Sequence, residues 1–203
     1  MCYHDLKIEP ERRSPMKKLP HTQAAQMRQL LLEEALMELM RTKSYAQISV
    51  TDLCRAADIP RRTFYHYFEC KEAVLHAAIR NLLEECSLAV MLQLDRGIAA
   101  MHESLIRNFQ YWQGPAREKL DLLLDKGLSG EMLQCALSWL ETERIGLPRR
   151  PGANAKENKI LTMMGTSGFF TLLMYWRSNE YRETPEEMAM FAIRALSEPL
   201  FRL

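Results

Sequence analysis

Apolar residues recur along this chain at intervals of three and four, and no two-residue alternation competes with them, so the pattern predicts helices almost throughout. Residues 22–43 carry Leu32, Ala35, Leu36 and Leu39 at the spacing of one buried face. Two short helical runs follow within 49–71, SVTDLCRAADIPRRTFYHYFECK, on either side of a tight turn. A long helix is predicted from Lys71 to about Leu94, and others over 97–112, 116–127, 129–145, 157–179 and 185–201. Gly114-Pro115, Gly127 to Gly130, the loop from Pro148 to Asn158, and Thr184-Pro185 break them. The chain has 203 residues, enough for a small domain followed by a larger one.

The paired short runs carry the most specific chemistry. Ser49 can cap the first, with Asp52 three residues on as a short-armed partner in a capping box, while Val50, Leu53, Cys54 and Ala57 face inward. Ala57-Asp58-Ile59 makes the turn, and Pro60 suits the start of the second run near Arg61. There Phe64 and Phe68 fall at i and i+4 on a buried side, and Arg61, Arg62, Thr63, Tyr65 and His66 crowd the other. Forked guanidinium donors suit guanine edges, a Thr methyl suits thymine, and hydroxyls suit phosphate oxygens. The arrangement predicts a helix-turn-helix laid on duplex DNA.

The run Thr63-Phe64-Tyr65-His66-Tyr67-Phe68, followed by Lys71-Glu72-Ala73-Val74-Leu75, resembles the recognition-helix segment of TetR-family transcriptional regulators. Ser49-Val50-Thr51-Asp52-Leu53 resembles that family's second-helix opening, and the likeness spans roughly residues 22–80. It implies an all-α fold: a mobile arm over 1–20, a three-helix helix-turn-helix domain over 21–70, and a helical effector-binding and dimerisation domain over 71–203. It implies DNA contacts from Ser49, Thr51, Arg61, Arg62, Thr63, Tyr65, His66 and Tyr67, and a phosphate contact from Lys71 at the start of the fourth helix. Asp58 stands where the family has Gly, and Asp tolerates left-handed φ better than most residues. Pro60 and Cys70 stand where the family commonly has Ser or Thr, which removes two hydroxyls from the phosphate set. Tyr175 to Glu180 and Thr184 to Met188 are similar to the C-terminal ends of several family members, including the group resembling activators of dihydroxyacetone kinase operons.

Charge is distributed in keeping with phosphate binding. The net charge is only +1, yet residues 1–80 hold 13 Lys/Arg against 10 Asp/Glu and residues 81–203 hold 14 against 16. The first twenty residues alternate charges with Pro and lack the apolar core of a secretory signal, so they read as a solvated polar arm. Arg12, Arg13, Lys17 and Lys18 could follow phosphates if the arm is native, and Met16 offers another start for the chain. Cys2, Cys54, Cys70, Cys86 and Cys135 form no CxxC pair and are odd in number, as expected for a reduced, cytoplasmic protein. His66 and Cys70 lie one helical turn apart, but no second ligand pair accompanies them, so neither a metal nor a cofactor is expected.

Two further features bear on function. Met91, Met101, His102, Phe109, Tyr111, Trp112, Met132, Cys135, Trp139 and Met163 supply adaptable apolar surface with polar tips. Each is more often plain core. Met101, His102, Phe109, Trp112, Cys135, Trp139 and Met163 are nonetheless the candidate pocket for a small apolar effector. Residues 160–176, ILTMMGTSGFFTLLMYW, are the most apolar run but fall short of a comfortable membrane span. Gly165, Gly168, Phe169 and Leu172 there, with Met188, Phe191, Ala192 and Ala195 on the last helix, are the expected faces of a homodimer, whose palindromic operator would follow from its two-fold symmetry. No triad, phosphate loop, paired-His site or dinucleotide motif supports an enzyme. Two readings are left: a repressor released from its operator by a small apolar ligand, and a DNA-binding regulator whose signal is a partner protein.

Overall fold

A computed structural model of the chain describes residues 22–90, 98–143 and 154–197. The polar arm over 1–20, Met91, Arg149 and Arg150 lie outside them. Nearly all described residues are helical and none forms an extended strand. In chain order the elements are α1 (Gln23–Thr42), a single 3₁₀ turn (Tyr45–Gln47), α2 (Val50–Ala56), α3 (Arg61–Tyr67), α4 (Lys71–Val90), α5 (Ile98–Gln113), α6 (Arg117–Asp125), α7 (Ser129–Glu143), α8 (Ala155–Ser178) and α9 (Pro185–Ser197). None is long and apolar enough to cross a membrane.

The chain divides into two compact units between Ala77 and Ala78, inside α4 rather than at its start. The reason is packing. Ala73, Val74, Leu75 and Ala77, the first two turns of α4, are buried and complete the small unit's core. Leu32, Leu36 and Met40 of α1, Ile48, Leu53 of α2, Ile59, and Phe64 and Phe68 around α3 make up the rest.

In the second unit α5 runs against α9 and α7 against α8. Phe109, Trp112, Leu120, Leu123, Met132, Leu173, Trp176, Met188 and Ala189 are among its most deeply buried side chains. The Phe109 ring stands 5.1 Å from Phe169 and 5.4 Å, edge to face, from Trp176, which ties α5 to α8. Helix α8 starts two residues earlier than the apolar pattern suggested. Asn154 accepts from the Glu157 N–H at 3.0 Å while Glu157 accepts from the Asn154 N–H at 2.8 Å, a reciprocal cap that extends the helix into the expected loop.

The corner between α8 and α9 is tightly specified. Glu180 and Tyr181 adopt φ of 58° and 56°. That left-handed pair is strained for residues with a Cβ, and the bonds around it hold it. The Trp176 indole donates to the Glu183 carbonyl at 2.8 Å, and the Tyr181 hydroxyl donates to Asp121 at 2.6 Å. Arg177 bridges Asp121 and Asp125, and Arg117 lies 4.5 Å over the Tyr181 ring. Burial, with the Asp121 carboxylate beside it, pushes the Tyr181 hydroxyl's pKa well up.

Candidate nucleic-acid interface

The helix-turn-helix is built by local chemistry that the chain spells out. The Ser49 hydroxyl accepts from the Asp52 N–H at 3.1 Å, and an Asp52 oxygen accepts from the Ser49 N–H at 3.0 Å, so the expected capping box is present. These bonds hold the Asp52 carboxyl below its ordinary pKa, the Ser49 hydroxyl contributing most. Asp58 takes the left-handed turn position with φ 51°, and the Ile59 N–H then bonds back to the Cys54 carbonyl at 2.9 Å. Pro60 is the residue just before α3, and its carbonyl accepts from Thr63 and Phe64 at 2.8 and 3.0 Å.

Phe64 and Phe68 are fully buried with ring centroids 5.9 Å apart, so the helix is anchored through one side only. Arg61, Arg62, Tyr65 and His66 are exposed on the other, with Thr63 half-buried beside them. A terminal nitrogen of Arg61 donates to the Tyr65 hydroxyl at 3.4 Å, and its guanidinium carbon sits 5.9 Å above the Tyr65 ring. That pair restrains the side chain before any ligand arrives. Arg62 makes no ion pair among the described residues and is free to extend.

Three residues of the expected DNA-contacting set are engaged inside the protein. Lys71 is the clearest case: its ammonium donates to the carbonyls of Tyr45 at 2.8 Å, Ile48 at 2.9 Å and Ala46 at 3.4 Å, and lies 4.4 Å from the centre of the Tyr45 ring. An ammonium has three protons and meets three carbonyls of the 3₁₀ turn and the residue after it, so Lys71 staples the start of α4 to that turn. Ser49 is likewise committed, since its hydroxyl donates to Asp52 at 2.7 Å. Tyr67 is 7% exposed, and its hydroxyl accepts from Arg28 of α1 at 3.5 Å, which makes it core with an internal partner. The Asp52 partner of Ser49 was readable as a capping box; the carbonyls that meet Lys71 and the Arg28 guanidinium that meets Tyr67 lie 23 or more residues away in the chain and were not.

One further basic side chain joins this surface. Arg55 follows exposed Thr51 by one turn on α2, its side chain is 78% exposed, and both line a shallow cleft with Cys54, Asp58, Ile59, Pro60 and Arg61. The i, i+4 spacing from Thr51 was the available signal.

The expected effector set is spread within the second unit. Phe109 and Trp112 are fully buried, whereas Met101, His102, Cys135, Trp139 and Met163 are half-buried. Phe109 is core packing between α5 and α8. Burial pushes the Cys135 thiol up to about 11 and the Cys86 thiol up to about 12, so neither carries the thiolate of a reactive cysteine at neutral pH. Among the described residues no cluster of three or more His, Cys, Asp or Glu is placed to hold a metal.

The expected dimer set divides by side. Met188 and Ala192 turn into the protomer, 0% and 5% exposed on a helix packed against α5, and leave no surface for a partner. Gly165, Phe169 and Leu172 are half-buried. Gly168, Phe191 and Ala195 are exposed, and beside them so are Leu161, Met164, Met174 and Tyr175 of α8 and Met190 of α9.

Residues 32–78 match the family model described as bacterial regulatory proteins, tetR family. That segment belongs to the TetR family. Its relatives include the transcriptional regulator EthR of Mycolicibacterium smegmatis, 52% identical over 46 residues, 23% of this chain and 21% of that protein. The dhaKLM operon activator DhaS of Lactococcus lactis is 40% identical over 53 residues, 26% of this chain and 28% of that one. The matched part thus spans less than a third of either relative. A TetR regulator from Streptococcus agalactiae shares the fold, with a TM-score of 0.58 at 18% identity over 85% of this chain and 95% of that one.

Proposed function

We propose that this chain is a homodimeric, sequence-specific transcriptional repressor, released from a palindromic operator by a small apolar ligand. The observation that carries the reading is the exposed side of α3, where Arg61, Arg62, Tyr65 and His66 project from a helix anchored by Phe64 and Phe68. Two guanidinium groups at the start of such a helix suit major-groove guanines. Thr51 and Arg55 extend the donor surface toward the phosphates.

Pairing is supported by the apolar faces of α8 and α9. Leu161, Met164, Gly168, Thr171 and Tyr175 succeed one another at steps of three and four and all are exposed, with Met164 at 67% and Tyr175 at 52%. Phe191 and Met190 add 46% and 44% exposed side chains on α9. Large apolar side chains in a continuous exposed stripe mark an interface. Two copies joined through it would present two reading heads to a two-fold symmetric site.

Selection of duplexes from a random pool by the purified protein tests the reading. Enrichment of an inverted repeat bound by a dimer in sedimentation supports it. A stable monomer at micromolar concentration, or a pool with no enriched repeat, overturns it.

A further inference from the structure

The carboxylate of Asp58 stands unpaired on the face that would meet DNA. The residue is exposed at the turn between α2 and α3, where it lines the shallow cleft together with Thr51, Arg55 and Arg61. Its side chain has no hydrogen bond or ion pair among the described residues. The flanking cations are engaged elsewhere, Arg55 with Asp52 at 3.9 Å and Arg61 with the Tyr65 hydroxyl at 3.4 Å. All of these groups belong to the first unit.

The backbone accounts for a residue of this kind but not for its charge. At a φ of 51° Gly fits without strain, and Asn and Asp tolerate the left-handed turn better than other residues. Asn would hold the same turn uncharged. What a carboxylate adds is a negative charge beside the Thr51 hydroxyl and the Arg55 guanidinium, which in the proposed function reach toward phosphates. Duplex DNA carries a phosphate charge about every 1.7 Å of its axis, so any duplex seated on these donors brings like charge toward Asp58. In water two like charges ~8 Å apart shift an equilibrium about twofold, and each further phosphate within a Debye length adds to that.

We propose that Asp58 limits affinity at this interface: its carboxylate repels the sugar–phosphate backbone and holds down the sequence-independent part of binding. The inference rests on the DNA-binding reading and adds a counterweight to its basic residues. Sequence-independent binding is made almost wholly of phosphate contacts, whereas the base edges offered to α3 carry no net charge for a carboxylate to repel. A larger share of the affinity then rests on the exposed side chains of α3.

Binding of the purified full chain to a random-sequence duplex and to the selected operator, titrated between about 50 and 200 mM salt, tests this. Asp58→Asn should tighten binding to the random duplex by about threefold or more at the lower salt, tighten the operator by about the same factor, and steepen the slope of log affinity against log salt by up to about one. Its melting point should stay at the wild-type value, because Asn keeps the left-handed turn. Should it fail to fold, Asp58→Gly, which relieves the turn, is read in its place. Glu34→Gln removes an exposed carboxylate of α1 outside the cleft and should leave the affinity for the random duplex within about twofold of wild type. An unchanged affinity in Asp58→Asn, a loss of affinity, or an equal gain in Glu34→Gln overturns the inference. The loss would mark a carboxylate that accepts from a base amino group, and the equal gain a bare effect of net charge. The expected gain on random duplex with no operator selected refutes the operator reading alone, and a selected operator with no gain in Asp58→Asn refutes the Asp58 assignment alone. A wild type that binds no duplex overturns both.

Discussion

The two units differ in how far each satisfies itself. In the first, Lys71 meets three carbonyls, Ser49 and Asp52 cap each other, and Arg28 reaches Tyr67, all within about fifty residues of chain. Its departures are the buried Gln29 amide nitrogen and the exposed Met27, Leu30 and Leu31 of α1. In the second, seven large apolar side chains of α8 and α9 stand in solvent, from Leu161 at 37% to Met164 at 67%, and α5 carries two buried oxygens without a hydrogen bond, on Ser104 and Asn108. The proposed pairing would cover this exposed apolar surface. The reading head is held by bonds within its own segment, whereas the second unit would be completed by the proposed second copy.

The strongest way to break that contrast is to charge the outward face of α8. A Cβ added at Gly168 meets nothing within 4 Å, so Gly168→Glu leaves the protomer intact. In a dimer it would bury an unpaired carboxylate in each subunit, and association should weaken by on the order of a hundredfold or more, shifting the protein toward monomer. Ala192→Arg should behave differently, because Ala192 is 5% exposed inside the protomer and the charge would unfold the second unit. Sedimentation with circular dichroism separates the two outcomes, and a Gly168→Glu variant that stays dimeric removes this face from the interface.

A second test asks whether Lys71 belongs to the fold or to the DNA. Lys71→Met keeps the stem and removes three charge-assisted bonds, so the small unit should lose about 2 kcal/mol in denaturant titration. The slope of log affinity against log salt should stay unchanged under conditions where the variant is folded. A slope reduced by about one, with stability intact, would return Lys71 to a phosphate.

Arg61 and Arg62 sharpen the comparison within α3. Arg62→Ala should cost ~1–3 kcal/mol of operator affinity, concentrated at one base position. Arg61→Ala removes a side chain already restrained by Tyr65, and Tyr65→Phe, which deletes the accepting hydroxyl at 3.4 Å, should reproduce part of its loss. Selected-sequence profiles of the three variants read this directly; if Arg61→Ala and Tyr65→Phe shift unrelated positions, the pair does not act as one.

What could be read in the sequence follows the same division. Ser49, Asp52, Asp58, Phe64 and Phe68 reached their expected places because caps, left-handed turns and i, i+4 packing are decided within a few residues. The family resemblance implies DNA contacts for Lys71, Ser49 and Tyr67, and in the structure partners 23 to 39 residues away meet Lys71 and Tyr67 while the capping carboxylate meets Ser49. Met188 and Ala192 were assigned outward because a stripe has no sign: the spacing is equally that of a face packed on α5. The unpaired Ser104 and Asn108 oxygens of α5 have no sequence signature, since their state depends on the packing around them.

The smallest effect lies in the capping box, and it tests the self-sufficiency of the first unit most narrowly. Ser49→Ala should cost about 1 kcal/mol, the loss of one cap bond to a helix of seven residues. The Asp52 half titrates. Its carboxylate accepts from the Ser49 hydroxyl and N–H, with Lys43 at 3.6 Å and Arg55 at 3.9 Å, and these partners hold its folded pKa below that in the unfolded chain. The stabilisation is therefore complete above the unfolded carboxylate pKa and lost as pH falls through the lowered folded value. Asp52→Asn cannot titrate, so the stability gap between wild type and Asp52→Asn should stay flat through neutral pH and close on acidification below the ordinary carboxylate range. In Ser49→Ala the main cause of the depressed pKa is absent, and the same closure should come at higher pH. A gap independent of pH in both backgrounds would show that the charge on Asp52 contributes nothing to the cap, leaving packing of Leu53 and Ile59 to fix where α2 begins and ends.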